Sequence, residues 1–265
     1  MPEGPEIRFY YETYIHPLKN KTLTNIAILS GRYVRHPKIA NFNDFQKLLP
    51  LKVIDTGVKA KNVWLIFENN YCLYFTHGMT GRWSKDSTEI HNRIELQFDN
   101  ETLYFNDMRG FGTLTVMLSK DVLTNKLNKL GLDVFTLKKS DKQLFINELF
   151  NDRTNNKMIG KVLLEQEYVS GLGNYLRAEI LWDTFISPYR LIKDITAKEK
   201  EALFISTLKI IKYHYKYITK HKASYYPTRD ETFKVYLRDK DIYGNTVIHE
   251  KLGPQTIHWV KERQK

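Results

Sequence analysis

The segment Lys161–Leu181 reads KVLLEQEYVSGLGNYLRAEIL. Two runs with helical period, about Lys157–Tyr168 and Tyr175–Phe185, flank the turn Ser170-Gly171-Leu172-Gly173-Asn174. Glycines in such a turn let the backbone approach an anion with no Cβ in the way. The N–H groups opening the second helix, together with the Asn174 amide, can then donate to a phosphate. The segment therefore predicts a helical domain with an anion site at one helix start.

The helical period extends outward over Lys142–Asn151 and Ala197–Thr219. Beyond it, Lys220–Glu231 reads as a polar link containing Pro227. The texture then turns to β, with Thr232–Arg238 and Thr246–Lys251 about a Gly244-Asn245 turn and a last strand over Gln255–Val260. Upstream, from Leu23 to Leu118, short β-rich runs are separated by turn signals such as Asn69-Asn70 and Asp99-Asn100. They include Leu23–Ser30, Val63–Phe67, Tyr71–Thr76, Arg93–Phe98, Thr102–Asn106 and Thr113–Leu118, a spacing that predicts a β-sandwich. Ile7, Tyr10, Tyr11, Tyr14, Ile15 and Leu18 fall on one helical face, and Pro17 sets the end of that helix near His16. The expectation is an α+β protein: an N-terminal helix and β-sandwich over 1–118, a connection over 119–139, a helical domain over 140–228 and a β-hairpin over 229–265.

The chain has 265 residues, enough for one large domain or two smaller ones, each with a sizeable core. A net charge of +11 points to a polyanionic partner, most economically a nucleic acid, and 17 tyrosines and 14 phenylalanines offer stacking surface. Cys72 is the only cysteine, which excludes an intrachain disulfide and a multi-cysteine zinc site. His249 and His258 lack further clustered ligands, so no metal site and no cofactor is expected. No apolar run approaches the roughly 20 residues of a membrane span, and no apolar leader precedes the first helix. The expected setting is intracellular, nuclear or cytoplasmic according to a cellular or viral source, with no membrane partner and a monomeric state.

The chemistry concentrates at Met1-Pro2-Glu3-Gly4-Pro5-Glu6. Removal of Met1 leaves Pro2 as a free secondary amine, and an α-amino group with a pKa near ~8 is partly neutral and nucleophilic at pH 7. Attack on C1′ of a deoxyribose gives an iminium ion, the species needed to expel a base and then eliminate phosphate. Glu3 and Glu6 lie within a few residues and can move protons.

Three stretches together resemble the formamidopyrimidine-DNA glycosylase/endonuclease VIII family: the MPEGPE start, the string 161–181 and Asp107-Met108-Arg109-Gly110-Phe111-Gly112. The landmarks run in order over almost the whole chain, and GNYLRAEIL is closer to the endonuclease VIII-like branch. The resemblance implies that 161–181 is a helix–two-turn–helix and that the partner is damaged DNA, duplex or single-stranded. It implies a bifunctional DNA glycosylase/AP lyase of base excision repair, acting through a Pro2 Schiff base and β,δ-elimination. Glu3 would protonate the opening sugar, and Glu6 would hold amine and substrate. Of Lys59-Ala60-Lys61, Lys61 fits the family's turn lysine better, although alanine stands where the family has glycine. Met79, Arg109 and Phe111 match the side chains that fill the gap left by a flipped nucleotide. Lys161 and Asn174 match phosphate contacts.

The C-terminal end departs from the family's four-cysteine zinc finger and resembles the zincless finger of some eukaryotic and viral members, a hairpin held by packing around Trp259 and Tyr236. Gln255 stands in place of the hairpin arginine, a change that removes one phosphate contact and lowers the salt slope by about 1. The short link before the finger favours oxidised pyrimidines and ring-opened or hydantoin lesions over 8-oxoguanine. A non-catalytic DNA-binding protein on the same scaffold is the alternative from another class. A helix–two-turn–helix shared with ribosomal and topoisomerase proteins leaves the N-terminal motif unexplained.

Overall fold

The computed structural model describes residues 1–35, 39–221 and 232–265. The link 220–231, and with it the expected boundary at 228/229, lies almost entirely outside the described residues. The chain divides into two compact units, one of Met1–Pro2 with Glu6–Lys129 and one of Glu3–Pro5 with Leu130–Lys265.

Helix α1, Gly4–Tyr10, runs into a π-turn over Tyr11–Ile15 and a 3₁₀ turn over His16–Leu18. The helical path thus passes the expected stop at His16, because Pro17 sits in the first turn of the new 3₁₀ segment, where its missing N–H is no loss. Eight strands follow: β1 Thr22–Ile28, β2 Leu51–Lys59, β3 Asn62–Phe67, β4 Cys72–Thr76, β5 Arg82–Ser84, β6 Asn92–Phe98, β7 Thr102–Asn106 and β8 Thr113–Met117. Short helices α2, Arg32–Arg35, and α3, Phe42–Lys47, lie between β1 and β2.

The strands form one antiparallel sheet in the order β5-β7-β6-β1-β2-β3-β4-β8. Among the described residues its two halves meet along a short β1–β2 pairing, Thr22↔Lys52 and Leu23↔Leu51, extended by bonds of Val53 to Asn20 and Lys21. The sheet folds back on itself at this thin seam. Phe75 on β4 meets Trp83 on β5 and Phe105 on β7, with ring centroids 4.8 and 5.8 Å apart, although these strands lie far apart in the sheet order. That aromatic layer is the inside of the expected β-sandwich.

Ser119–Lys139, read from sequence as a plain connection, carries structure of its own. Helix α4, Lys120–Leu127, is capped by the Ser119 side chain, which accepts from the Val122 N–H. Leu123 of α4 covers Ile66, Cys72, Tyr74 and Met117 on the outer face of the sheet, so Cys72 is the buried strand residue expected.

In the second unit, β9, Leu132–Asp133, pairs in parallel with β10, Val169–Ser170. Around them lie α5 Lys142–Leu149, α6 Ile159–Val162, α7 Asn174–Asp183 and α8 Ala197–His221. The helix expected over Lys157–Tyr168 is reduced to the four residues of α6 and a turn. Leu172, Tyr175, Leu176, Ile180, Leu203, Ile210 and Ile211 share one buried core between α7 and α8.

The C-terminal hairpin differs from its sequence reading. Its strands are β11, Ile248–Leu252, and β12, Gln255–Trp259, and Gly253-Pro254 makes the turn. Residues 233–238 form no strand. The buried Glu179 carboxylate accepts from the backbone N–H groups of Lys234, Val235 and Tyr236, each at 3.0 Å, which bends that stretch around a single acceptor. Asp241 organises the Gly244-Asn245 turn by accepting from the Tyr243 and Asn245 N–H groups at 2.9 Å, and it also accepts from the Trp182 indole at 3.0 Å.

Around the hairpin, side chains pack closely. Arg263 lies 4.3 Å from the Trp182 ring, 4.0 Å from Phe185 and 5.0 Å from Tyr243, while Tyr243 stacks on Trp182. Trp259 packs on Tyr189 and donates to Glu250, and Tyr236 packs on Tyr175, Phe233 and His258, so both anchors expected from sequence are engaged. A guanidinium desolvated among aromatic faces contributes about 1–2 kcal/mol. Arg263→Met, which keeps the stem and removes the charge, is therefore expected to lower urea-unfolding stability by about that amount. Arg263→Lys should recover part of the loss.

Candidate active site

In the second unit, Gly4 N–H donates to the Gly171 carbonyl at 2.9 Å and anchors the start of the chain to the glycine turn. Glu3, only 1% exposed, then lies across the first turn of α7. Its Oε1 accepts from Tyr175 N–H at 2.9 Å and its Oε2 from Leu176 N–H at 3.1 Å. A carboxylate here satisfies two orphan donors and lies at the positive end of the helix dipole. Gly173 makes the arrangement possible, since a Cβ there would overlap the Glu3 carboxyl carbon. The sequence reading gave these N–H groups to a phosphate, but a side chain of the chain itself takes the two from Tyr175 and Leu176.

Asn174 is held on both sides of its amide. Its Nδ2 donates to the Thr256 carbonyl of β12 at 2.9 Å, and its Oδ1 accepts from Arg177. Arg177 is fully buried and also donates to the Gly160 carbonyl at 2.8 Å. Burial lowers its pKa to about 10, against the opposing charge of Glu3. Arg177 escaped the sequence reading, in which it was one more polar residue of an amphipathic helix. Lys161 is exposed on α6, and Gln255 is half-buried at the start of β12.

In the first unit, Pro2 and Glu6 are buried. Lys59 and Asn62 pair across a two-residue turn, so Ala60 and Lys61 form the hairpin tip. Ala60 adopts φ +56°, the left-handed conformation for which glycine is normally chosen, so alanine carries the turn despite the substitution. The Lys59 ammonium donates to the Leu127 carbonyl at the end of α4 at 3.1 Å, whereas Lys61 is half-buried at the tip.

Two loops bring Met79, Arg109 and Phe111 together. A Cβ on Gly78, φ +56°, would come within 2.5 Å of the Phe111 carbonyl carbon, so the loops after β4 and β7 touch backbone to backbone. The buried Asp107 carboxylate accepts from the Thr80 hydroxyl and, at 2.6 Å, from Gly112 N–H. Thr80 Oγ1 in turn accepts from Arg109 N–H at 2.9 Å. With their backbones fixed, the three side chains project outward. Met79 is 38% and Phe111 51% exposed, and the Arg109 guanidinium lies 5.0 Å from the Phe111 ring. His77 underlies this loop pair, stacked on Tyr10 and accepting from the Trp83 indole at 3.0 Å.

Two models of one family match the chain. The formamidopyrimidine-DNA glycosylase N-terminal domain covers residues 1–114 and the formamidopyrimidine-DNA glycosylase H2TH domain covers residues 130–221. The chain belongs to the formamidopyrimidine-DNA glycosylase/endonuclease VIII family. Its similarity to endonuclease 8 proteins places it on the endonuclease VIII-like side. It is 26% identical to that of Shigella boydii over 98% of both chains, and 24% identical to that of Pectobacterium carotovorum over 100% of both. The fold matches Lactococcus lactis formamidopyrimidine-DNA glycosylase bound to abasic-site DNA, with TM-score 0.80, 20% identity and 99% of each chain covered. A second structure of the L. lactis protein, with DNA containing an oxidised pyrimidine, gives TM-score 0.81 at 22% identity over 100% of each chain. Among the described residues no helix is long and apolar enough to cross a membrane.

His77 and His214 are both buried and neutral, with burial lowering their pKa values to about 3 and about 4. An unfolded histidine titrates near ~6.5, so between that pH and the folded values the unfolded chain binds more protons. Stability is therefore complete above about pH 7 and falls as pH is lowered toward 4, by up to about 2.7 kcal/mol per pH unit for the two groups. Urea titrations at pH 7 and 5 measure the slope, and His214→Leu is expected to remove about half of it.

Proposed function

We propose that this chain, a DNA glycosylase/AP lyase of base excision repair by family, removes oxidised pyrimidines and ring-opened or hydantoin lesions through covalent catalysis at Pro2. With Met1 removed, the Pro2 nitrogen attacks C1′ and the N-glycosidic bond breaks. The base leaves with its bonding electron pair and takes up a proton, and the attacking amine gives up its own. The C1′–O4′ bond then breaks as Glu3 protonates O4′, which leaves Pro2 and C1′ joined as an iminium ion. Loss of a C2′ proton expels the 3′ phosphate, and a second elimination expels the 5′ phosphate. Water then hydrolyses the Schiff base and restores the amine.

In this reading Glu3 protonates the opening sugar, Glu6 holds amine and substrate, and Lys61 contacts a phosphate beside the lesion. Met79, Arg109 and Phe111 fill the space of the flipped nucleotide. Lys161 and Asn174 hold the backbone, and Gln255 takes the place of the hairpin arginine. The observation that carries most weight is the Glu3 carboxylate, fixed by two backbone donors and joined by one peptide bond to the nucleophile. The lesion preference is supported by the ten residues between His221 and Thr232, too short a link for a long cover over a flipped purine.

Single-turnover excision from duplexes carrying thymine glycol, a hydantoin or 8-oxoguanine opposite their proper partners tests the substrate reading. The first two are expected to be excised at least about tenfold faster, a difference of about 1.4 kcal/mol in the barrier. Equal rates remove the lesion assignment. Glu3→Gln separates the steps. Base excision is expected to fall by about 10²–10⁴, the range for loss of a general acid, while cleavage at a preformed abasic site persists because that sugar already opens to its aldehyde without Glu3.

A further inference from the structure

Arg93 lies on β6 where the pairing with β7 shifts register between Asn92 and Ile94. The half-buried side chain reaches the point where the chain leaves β7 for the 107–112 loop. Its Nε donates to the Asp107 carbonyl at 2.8 Å, and its Nη2 to the Met108 carbonyl at 3.3 Å and close to His91 Nδ1, also at 3.3 Å. Its Nη1 donates to Ser30 Oγ at 2.9 Å, and Ser30 is held through its own donation to the Asn92 carbonyl at 2.8 Å. Gly31 leaves room for this path, since a Cβ there would come within 2.9 Å of Arg93 Cδ.

One guanidinium thus holds two successive carbonyls, and the next residue is Arg109. Fixing the Asp107 and Met108 carbonyls fixes the peptide planes from which Arg109 departs. The Asp107 carboxylate and Thr80 hold the same turn from the other side. The planar fork of arginine can serve both carbonyls and Ser30 together, whereas the ammonium of a lysine is a point donor without that geometry. Gly110, φ +68° with nothing near its would-be Cβ, follows directly, so the loop loses this restraint just past Arg109.

We propose that Arg93 is a positioning residue for Arg109, and that through it Arg93 sets which base opposite the lesion the enzyme accepts. The inference rests on the reading of Arg109 as the side chain that meets the orphaned base. A reader that wanders by a fraction of an ångström loses paired hydrogen-bond geometry to one base edge and so loses discrimination before it loses chemistry.

The test compares wild type, Arg109→Ala, Arg93→Met, Arg93→Lys and the double variant Arg93→Met/Arg109→Ala. Excision of one lesion is measured opposite each of the four bases, and borohydride trapping on an abasic single strand, which has no opposite base, reports the folded lyase. Arg109→Ala is expected to flatten the ratio between best and worst opposite base by about tenfold. Arg93→Met should flatten it nearly as far, mainly through KM, with trapping retained. Arg93→Lys should fall between, and the double variant should match Arg109→Ala because both changes remove one effect. Unchanged ratios in Arg109→Ala overturn the reading of Arg109 and the inference with it. Flattening in Arg109→Ala with none in Arg93→Met or Arg93→Lys overturns the inference alone. So do losses that add in the double variant. If Arg93→Met does not fold, Arg93→Lys decides.

Discussion

A buried carboxylate on a helix start anchors the beginning of this chain. Glu3 replaces solvent at the Tyr175 and Leu176 N–H groups, and in return those two donors fix its side chain to within hydrogen-bond tolerance. Only glycine at 173 leaves the volume that the carboxyl group occupies. The Gly4 bond to Gly171 holds the following residue in the same place. In the proposed chemistry the nucleophile is the second residue of the chain, and a terminus is otherwise the region of a protein with least restraint. Burial of Glu3 against α7 changes that by fixing the residue on one side of the Pro2 amine.

The loops that carry Met79, Arg109 and Phe111 follow a similar logic, in which buried polar groups hold exposed side chains. Asp107, Thr80 and Arg93 take up the backbone donors and acceptors of two loops, and Met79, Arg109 and Phe111 are left to project. Arg177 does the same for Asn174, and Glu179 for residues 234–236. Beside the C-terminal hairpin, Arg263 against Trp182, Phe185 and Tyr243 ties α7 and the turn after it to the end of the chain. Each buried charge is costly unless satisfied, so these residues lend rigidity as well as stability.

The sequence made the larger plan legible because periodicity and motif wording are local signals. The alternating runs of 23–118 and most of the helical period of 140–219 correspond to elements the fold contains, the exception being Lys157–Tyr168, where only Ile159–Val162 is helix. What escaped was set by distant partners. Residues 233–238 have strand composition, but Glu179, more than fifty positions earlier, collects their N–H groups and bends them. The glycine turn was read as room for a phosphate, whereas Gly173 makes room for Glu3. Arg93 and Arg177 look like ordinary polar positions of a strand and a helix, and only their long-range bonds to 107–108 and 160 give them roles. At 60 alanine stands where the family has glycine, and its positive φ shows it accepting the geometry that glycine would adopt without strain.

The claim on which the rest turns is covalent chemistry at the N-terminal amine. Borohydride reduction on an abasic-site duplex, with intact-mass and N-terminal peptide analysis of the protein, tests it most directly. The account predicts an adduct on the Met1-free chain, carried by the first peptide and lost in Pro2→Gly. An adduct on another residue, or none on protein shown to begin at Pro2, would contradict it.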